Sequence, residues 1–211
     1  MIAVIDYGIG NLKSVVKAFQ YLEIPVRLTA SRRDIEKARG VVLPGVGAFG
    51  EGMRNLQQRE MVSLLKDLAA GGVPLLGICL GMQLLFAESA ESPGVSGLGL
   101  VDGRVERFKS KEVNKIPHMG WNQVRQCQQD PLFKGVKDNS YFYFVHSYYV
   151  DNSDSEAVLG TTCYGDREFI SVVHRKNIWG FQCHPEKSSD LGLLVLKNFS
   201  EVIANGSNTC G

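Results

Sequence analysis

The feature that most limits how this chain can fold is an alternation in its first half, where short, largely apolar runs of strand length are each followed by a stretch with helical spacing. Residues 2–6, 26–29, 40–43 and 74–78 read as strands bounded by Gly, Pro or Asp. Between them, 11–22 places Leu12, Val15, Val16, Phe19 and Leu22 on one helical face, and 54–69 reads as a second helix that stops at Gly71-Gly72. Residues 80–88 read as a third. Ser31, followed three residues on by Asp34, is an N-cap with its acidic partner. Strands and helices in this order give an α/β fold: a central, mostly parallel sheet flanked by helices.

The second half changes character. Residues 98–108, 141–150, 157–164, 168–174 and 178–183 are rich in Val, Ile, Tyr and Phe and are joined by turns such as Asp151-Asn152 and Lys176-Asn177. These are expected to be antiparallel strand additions. A last helix over 189–204 sets Leu191, Leu194, Val195, Phe199, Val202 and Ile203 at helical spacing against the sheet. The reading is one domain over 1–204, with 205–211 a disordered tail.

The 23 Lys+Arg against 22 Asp+Glu leave a formal charge of +1, so no bulk attraction draws the chain to nucleic acid or an anionic membrane. The N-terminus shows no leader, and no apolar run approaches the roughly 18 residues of a membrane helix. A cytoplasmic location is expected. Cys79, Cys127, Cys163, Cys183 and Cys210 are odd in number and contain no CxxC pair, which points away from a disulfide framework or a zinc cluster.

One cysteine stands apart. Gly77-Ile78-Cys79-Leu80-Gly81 falls where a strand must turn into a helix, the nucleophile-elbow pattern with Cys in place of Ser. A free cysteine is ordinarily a small buried hydrophobe. Here the helix N-terminus would favour the thiolate, and the Leu80 N–H could face a developing oxyanion. A nucleophile needs a base, and His184 ends a strand with Glu186 two residues later, where both side chains of an extended segment point one way. Pro44-Gly45-Val46-Gly47 follows the third strand, at the end where open α/β sheets bind ligands, and its backbone could supply a second oxyanion donor.

Together with residues 6–12, 43–49, 77–83, 143–148 and 181–188, and above all the run Pro117-His118-Met119-Gly120-Trp121-Asn122, these segments resemble the class I, or triad, glutamine amidotransferases. Within that family they are most similar to the branch that pairs with a HisF-type cyclase subunit in histidine biosynthesis. The resemblance covers essentially the whole chain and implies a flavodoxin-like fold with no metal or organic cofactor. It also implies Cys79 as nucleophile, His184 as general base and acid, and Glu186 as the group that orients the ring. The N–H groups of Leu80 and of Gly45, Val46 and Gly47 would form the oxyanion hole. Gln83 and Glu91 would hold the amide side and amino end of glutamine, His146, Ser147 and Tyr148 its α-carboxylate. Asn11, Trp121 and Lys187 would face the cyclase in a heterodimer. The implied reaction hydrolyses glutamine through a γ-glutamyl thioester and sends ammonia to the cyclase, which makes imidazole glycerol phosphate and AICAR. Three alternatives stay open: a glutaminase subunit serving a different ammonia-using synthase, a stand-alone cysteine hydrolase, and a catalytically silent binding subunit.

Overall fold

A computed structural model describes residues 1–10, 12–151 and 153–206. The first half forms strands β1 (Ile2–Ile5), β2 (Val26–Thr29), β3 (Gly40–Leu43) and β4 (Leu75–Ile78), connected by helices α1 (Leu12–Tyr21), α2 (Arg32–Glu36), α3 (Phe49–Gln58) and α4 (Met61–Ala70). A short α5 (Leu80–Leu84) follows β4. The second half adds β5 (Arg104–Arg107), β6 (His118–Gln126), β7 (Ser140–His146), β8 (Tyr148–Asp151), β9 (Val158–Tyr164), β10 (Arg167–Arg175) and β11 (Ile178–Phe181), and closes with α6 (Ser189–Gly206). The sheet runs β2-β1-β3-β4-β11-β10-β9-β6-β7, with β8 pairing β10 and β5. The first five strands of that order are parallel and the rest pair antiparallel.

Alternation along the parallel strands divides the core in two. Ile2, Val4, Val42, Leu76 and Ile78 face α1 and α6, whose Val15, Phe19, Val195, Leu196 and Phe199 are buried against them. Ala3, Ile5, Val41, Leu43 and Leu75 face the other way, onto Met53, Leu56, Leu64 and Leu65 of α3 and α4. Each of these Val, Leu, Ile, Phe and Met side chains contributes about 1.5–3 kcal/mol of transfer free energy, so both layers are held by ordinary apolar burial. No helix among the described residues is long and apolar enough to cross a membrane.

The α/β class agrees with the sequence reading, but several elements differ. The helix expected over 54–69 is two helices, because Glu60 takes a left-handed conformation (φ 54°). That break resets the helical phase and keeps Met61, Leu64 and Leu65 on the side already buried by Met53 and Leu56. The helix over 80–88 stops at Leu84, with Leu85 as its C-cap, and the chain continues through the fully buried Leu85 and Phe86. Of 98–108 only Arg104–Arg107 is strand, the preceding stretch turning through Gly99 and Gly103 at positive φ. Strand β6 was not expected. The run 141–150 is broken at Ser147 into β7 and β8, which pair with different partners. Ser31 does accept from the Asp34 N–H, yet the return bond to the Ser31 N–H comes from Thr29 Oγ1 rather than from Asp34. Helix α6 continues to Gly206, beyond the expected 204; the remainder of the proposed tail, with Cys210, lies outside the described residues, as do Asn11 and Asn152.

Candidate active site

The parallel strands β3, β4 and β11 end side by side, and the loops after them carry the three segments singled out above. Cys79 follows β4 with φ 54° and ψ −109°, a conformation that L residues rarely hold, and it is pinned there by its own N–H donating to Phe181 O at 2.7 Å. Gly81 explains why the elbow can be so tight. A Cβ at that position would overlap the Leu43 carbonyl, so only glycine lets α5 pack onto β3. With five residues, α5 has little macrodipole, and the donor that matters at the thiol is the backbone amide beside it rather than the helix as a whole.

His184 and Glu186 are both buried, each side chain 2% exposed, and His184 Nδ1 lies 2.8 Å from Glu186 Oε1. The route differs from the extended segment expected from the sequence. Pro185 opens a 3₁₀ turn, Pro185–Lys187, and this turn swings Glu186 back toward the ring. Burial alone would lower the His184 pKa, but the negative charge of the adjacent Cys79 thiolate, followed by the Glu186 contact, raises it to about 10. Its other nitrogen, Nε2, is buried without a hydrogen-bond partner among the described residues. The three side chains thus form one coupled group although their segments lie about a hundred residues apart.

A cavity of about 350 Å³, within the range of small-molecule sites, opens at the thiol and is lined by Val46, Gly47, Cys79, Leu80, Gln83, Glu91, Val145, His146, Ser147 and Tyr148 among others. Every residue assigned to glutamine from the sequence is in this wall. Their free valences are narrower than their names suggest. Gln83 Nε2 donates to Tyr148 O at 3.0 Å and to Gln182 Oε1 at 2.9 Å, leaving the carbonyl oxygen for a ligand's N–H. Glu91 Oε2 accepts from the Phe49 N–H at 2.7 Å, so one carboxylate oxygen caps α3, whose own N-cap, Ala48, has no side chain to do so. Burial holds His146 uncharged, with a pKa of about 3, and both its nitrogens are engaged inside the protein, which leaves the Ser147 and Tyr148 segment to meet an anion.

The loop after β3 presents a carbonyl where a donor was expected. The Leu80 N–H donates to Gly45 O at 3.3 Å, so the peptide joining Gly45 to Val46 turns its C=O toward the elbow and its N–H away. Tyr7, fully buried, fixes the preceding peptide by donating to Pro44 O at 2.6 Å, and its hydroxyl fills the space a side chain at position 45 would need. Gly47 sits at φ +117°.

On the outside, Trp121 (51% exposed) packs edge-on to Tyr143 at 6.1 Å and the Lys187 ammonium lies 5.9 Å over the same ring. Met119 and Tyr141 continue this apolar face along the β6–β7 hairpin. The hairpin is tied directly to the triad, since the His184 N–H donates to Tyr143 O and the Tyr143 N–H to Ser188 Oγ. Sequence reasoning missed Gln182, whose Nε2 stands 3.8 Å from the Cys79 sulfur, and the pair Tyr7 and Ser188. Gln182 lies between the apolar strand β11 and Cys183-His184, and an amide directly after an apolar run and two residues before His184 was the available signal.

The family model for glutamine amidotransferase class-I matches residues 3–202. A protein of Moorella thermoacetica named imidazole glycerol phosphate synthase subunit HisH is 52% identical over 207 residues, covering 98% of this chain and 97% of its own. The protein of that name from Methanocaldococcus jannaschii is 47% identical, covering 96% and 100%. Among solved structures, one described as a glutamine amidotransferase superposes with a TM-score of 0.76 at 16% identity, over 97% of this chain and 100% of that one. The PurLQS structure from Thermotoga maritima gives 0.75 at 16%, over 96% and 98%. At these identities the structural likeness is one of fold.

Proposed function

Because this chain belongs to the class-I glutamine amidotransferases, and within them to the HisH family, we propose that it hydrolyses glutamine at Cys79 as the glutaminase subunit of imidazole glycerol phosphate synthase. The observation that carries this reading is the buried Cys79–His184–Glu186 group, whose Cys79 opens onto a cavity with an acceptor at Gln83, a carboxylate at Glu91 and an uncharged far wall, while His184 and Glu186 stand behind the Pro44–Val46 loop. A ligand with an amide at one end and an amino acid head at the other matches that order.

Glutamine enters with its amide carbon at the Cys79 sulfur and its α-ammonium at the free oxygen of Glu91. The Gln83 carbonyl accepts from the side-chain amide, and the segment Ser147–Tyr148 meets the α-carboxylate. The thiolate adds to the amide carbon, His184 Nε2 delivers its proton to the departing nitrogen, and ammonia leaves a γ-glutamyl thioester. Water, deprotonated by the same ring, then releases glutamate and regenerates the thiol. Throughout, Glu186 holds Nδ1 and balances the imidazolium. The ammonia is used by a second subunit, a cyclase of the HisF type, which docks on the face built by Met119, Trp121, Tyr143 and Lys187; Asn11 belongs to the same proposal. The setting is cytoplasmic histidine biosynthesis. Release of glutamate from glutamine by the chain mixed with such a cyclase tests the reading, and a mixture that forms a complex but releases none overturns it.

Glu186→Gln separates orientation from charge. The amide oxygen still accepts from Nδ1, so glutamine KM should stay within about threefold, while thioester formation slows roughly 10²-fold because the imidazolium loses its counter-charge. Single-turnover kinetics measure this directly. Unchanged turnover would make Glu186 an ordinary carboxylate of the 3₁₀ turn.

A further inference from the structure

Behind the cavity, His118 and His146 face each other across β6 and β7, with His118 Nδ1 3.0 Å from His146 Nε2. The protons on this pair can be assigned from their neighbours. His146 Nδ1 lies 2.8 Å from the Tyr148 carbonyl, which only accepts, so that nitrogen carries hydrogen. At the other end Asn122 Nδ2 donates to Cys163 O at 2.8 Å and reaches His118 Nε2 at 3.2 Å, while Asn122 Oδ1 accepts from the Gln123 N–H. The amide orientation is therefore fixed, and His118 Nε2 is an acceptor. One arrangement satisfies every contact: Asn122 donates to His118, His118 Nδ1 donates to His146 Nε2, and His146 Nδ1 donates to Tyr148 O. A further proton on either ring would set donor against donor. Burial holds both rings neutral, with His118 near 4 and His146 near 3.

The chain is also rigid. The His118 ring is stacked between Tyr164 (4.0 Å between centroids) and Phe144 (4.9 Å), and it is 3% exposed. Its far end is the Tyr148 carbonyl, the group on which Gln83 Nε2 also converges. That carbonyl sits just past the Ser147 break, at the cavity wall, where Ser147 O accepts from the Phe108 N–H and Tyr148 pairs with Arg107 of β5. The two-ring chain and Gln83 hold the Tyr148 carbonyl from the other side.

We propose that His118, which does not line the cavity, is a positioning residue that sets the Ser147–Tyr148 segment for the α-carboxylate of the substrate through this directed chain. The inference rests on the glutamine reading given above. His118 never touches substrate; it acts by holding His146 in one tautomer and one ring orientation.

The test compares two alkylators of Cys79 in the full chain: the chloroketone analogue of glutamine, which keeps the α-carboxylate and α-ammonium, and iodoacetamide, which has neither. His118→Leu should slow chloroketone labelling about tenfold, the loss expected when a buried acceptor on His146 is left unpaired, with iodoacetamide labelling within about twofold of wild type. His118→Gln can donate to His146 and accept from Asn122, and should restore the chloroketone rate to within about threefold. Asn122→Ala, at the half-exposed outer end, removes the first donor without opening the core and should give the same selective slowing, about threefold. Chloroketone rates equal to wild type in these variants, or equal slowing with both reagents, overturn the proposal. A wild-type chain that shows no preference for the chloroketone would instead overturn the glutamine reading.

Discussion

Cys79→Ala is expected to lower glutamine hydrolysis by at least about 10⁴-fold and to leave the chain folded. The first half follows from chemistry, because Cys79 is the one thiol in the cavity wall among the described residues and the one coupled to His184, whereas the hydroxyls there belong to Ser147 and Tyr148, which the glutamine reading places at the α-carboxylate. The second follows from packing, because alanine keeps the Cβ and loses only a sulfur that lies at the cavity edge. Two further readouts bind the result to this geometry. Cys79 supplies the strongest influence raising the His184 pKa, so in the alanine variant the ring should titrate well below its wild-type value of about 10, followed by nitrogen-15 NMR. A raised pKa means the imidazolium persists until the pH climbs through it; removing the thiolate should bring that loss to lower pH. Cys79→Gly should be more stable than Cys79→Ala by about 1 kcal/mol, since glycine occupies φ 54° and ψ −109° without the strain any other residue stores there. Equal denaturation midpoints for the two would remove the strain argument. Glutaminase activity surviving in the alanine variant would remove Cys79 as nucleophile.

How much of this could be read from the chain depended on how local each determinant is. The parallel half was legible because β1, β3 and β4 are buried on both faces and their connecting helices have one apolar side, patterns that a short window reveals. Strand β6 was not, since its alternation of Met119, Trp121 and Gln123 outward with His118, Asn122 and Val124 inward mixes polar and apolar residues on both sides. Its inward polar groups are acceptable only because His146 and Cys163 O, far along the chain, satisfy them. The elbow and the His-Pro-Glu run stood out as short signatures, whereas their geometry did not: Glu186 reaches His184 by a 3₁₀ turn and not by strand alternation. Glu91 shows the same limit. Its second task, capping α3 through the Phe49 N–H, joins residues 42 positions apart and leaves no trace in either local sequence.

The chain alone is expected to be a poor glutaminase, and addition of a HisF-type cyclase carrying its nucleotide substrate should raise glutamine turnover by roughly 10²–10³-fold, the value of one oxyanion donor. In the resting geometry the Leu80 N–H is occupied by Gly45 O, so a tetrahedral oxyanion would meet a carbonyl on one side and an engaged donor on the other. Rotating the single peptide between Gly45 and Val46 corrects both faults at once, withdrawing the carbonyl and turning the Val46 N–H inward. Position 45 permits this because glycine has no Cβ to resist it, and Tyr7, bonded to Pro44 O, confines the motion to that one peptide. A partner docked on the proposed face would have a path to the loop's surroundings through the β6–β7 hairpin, whose Tyr143 carbonyl accepts from the His184 N–H while Trp121 and Lys187 lie against the Tyr143 ring. A ligand shifts such an equilibrium only by binding one state better than the other, so the cyclase without its nucleotide should activate less than the loaded cyclase. Glutamate release is measured for the chain alone, with empty cyclase and with loaded cyclase. Full turnover by the chain alone would mean that the Gly45 carbonyl does not obstruct the reaction, and would favour a hydrolase that works without a partner.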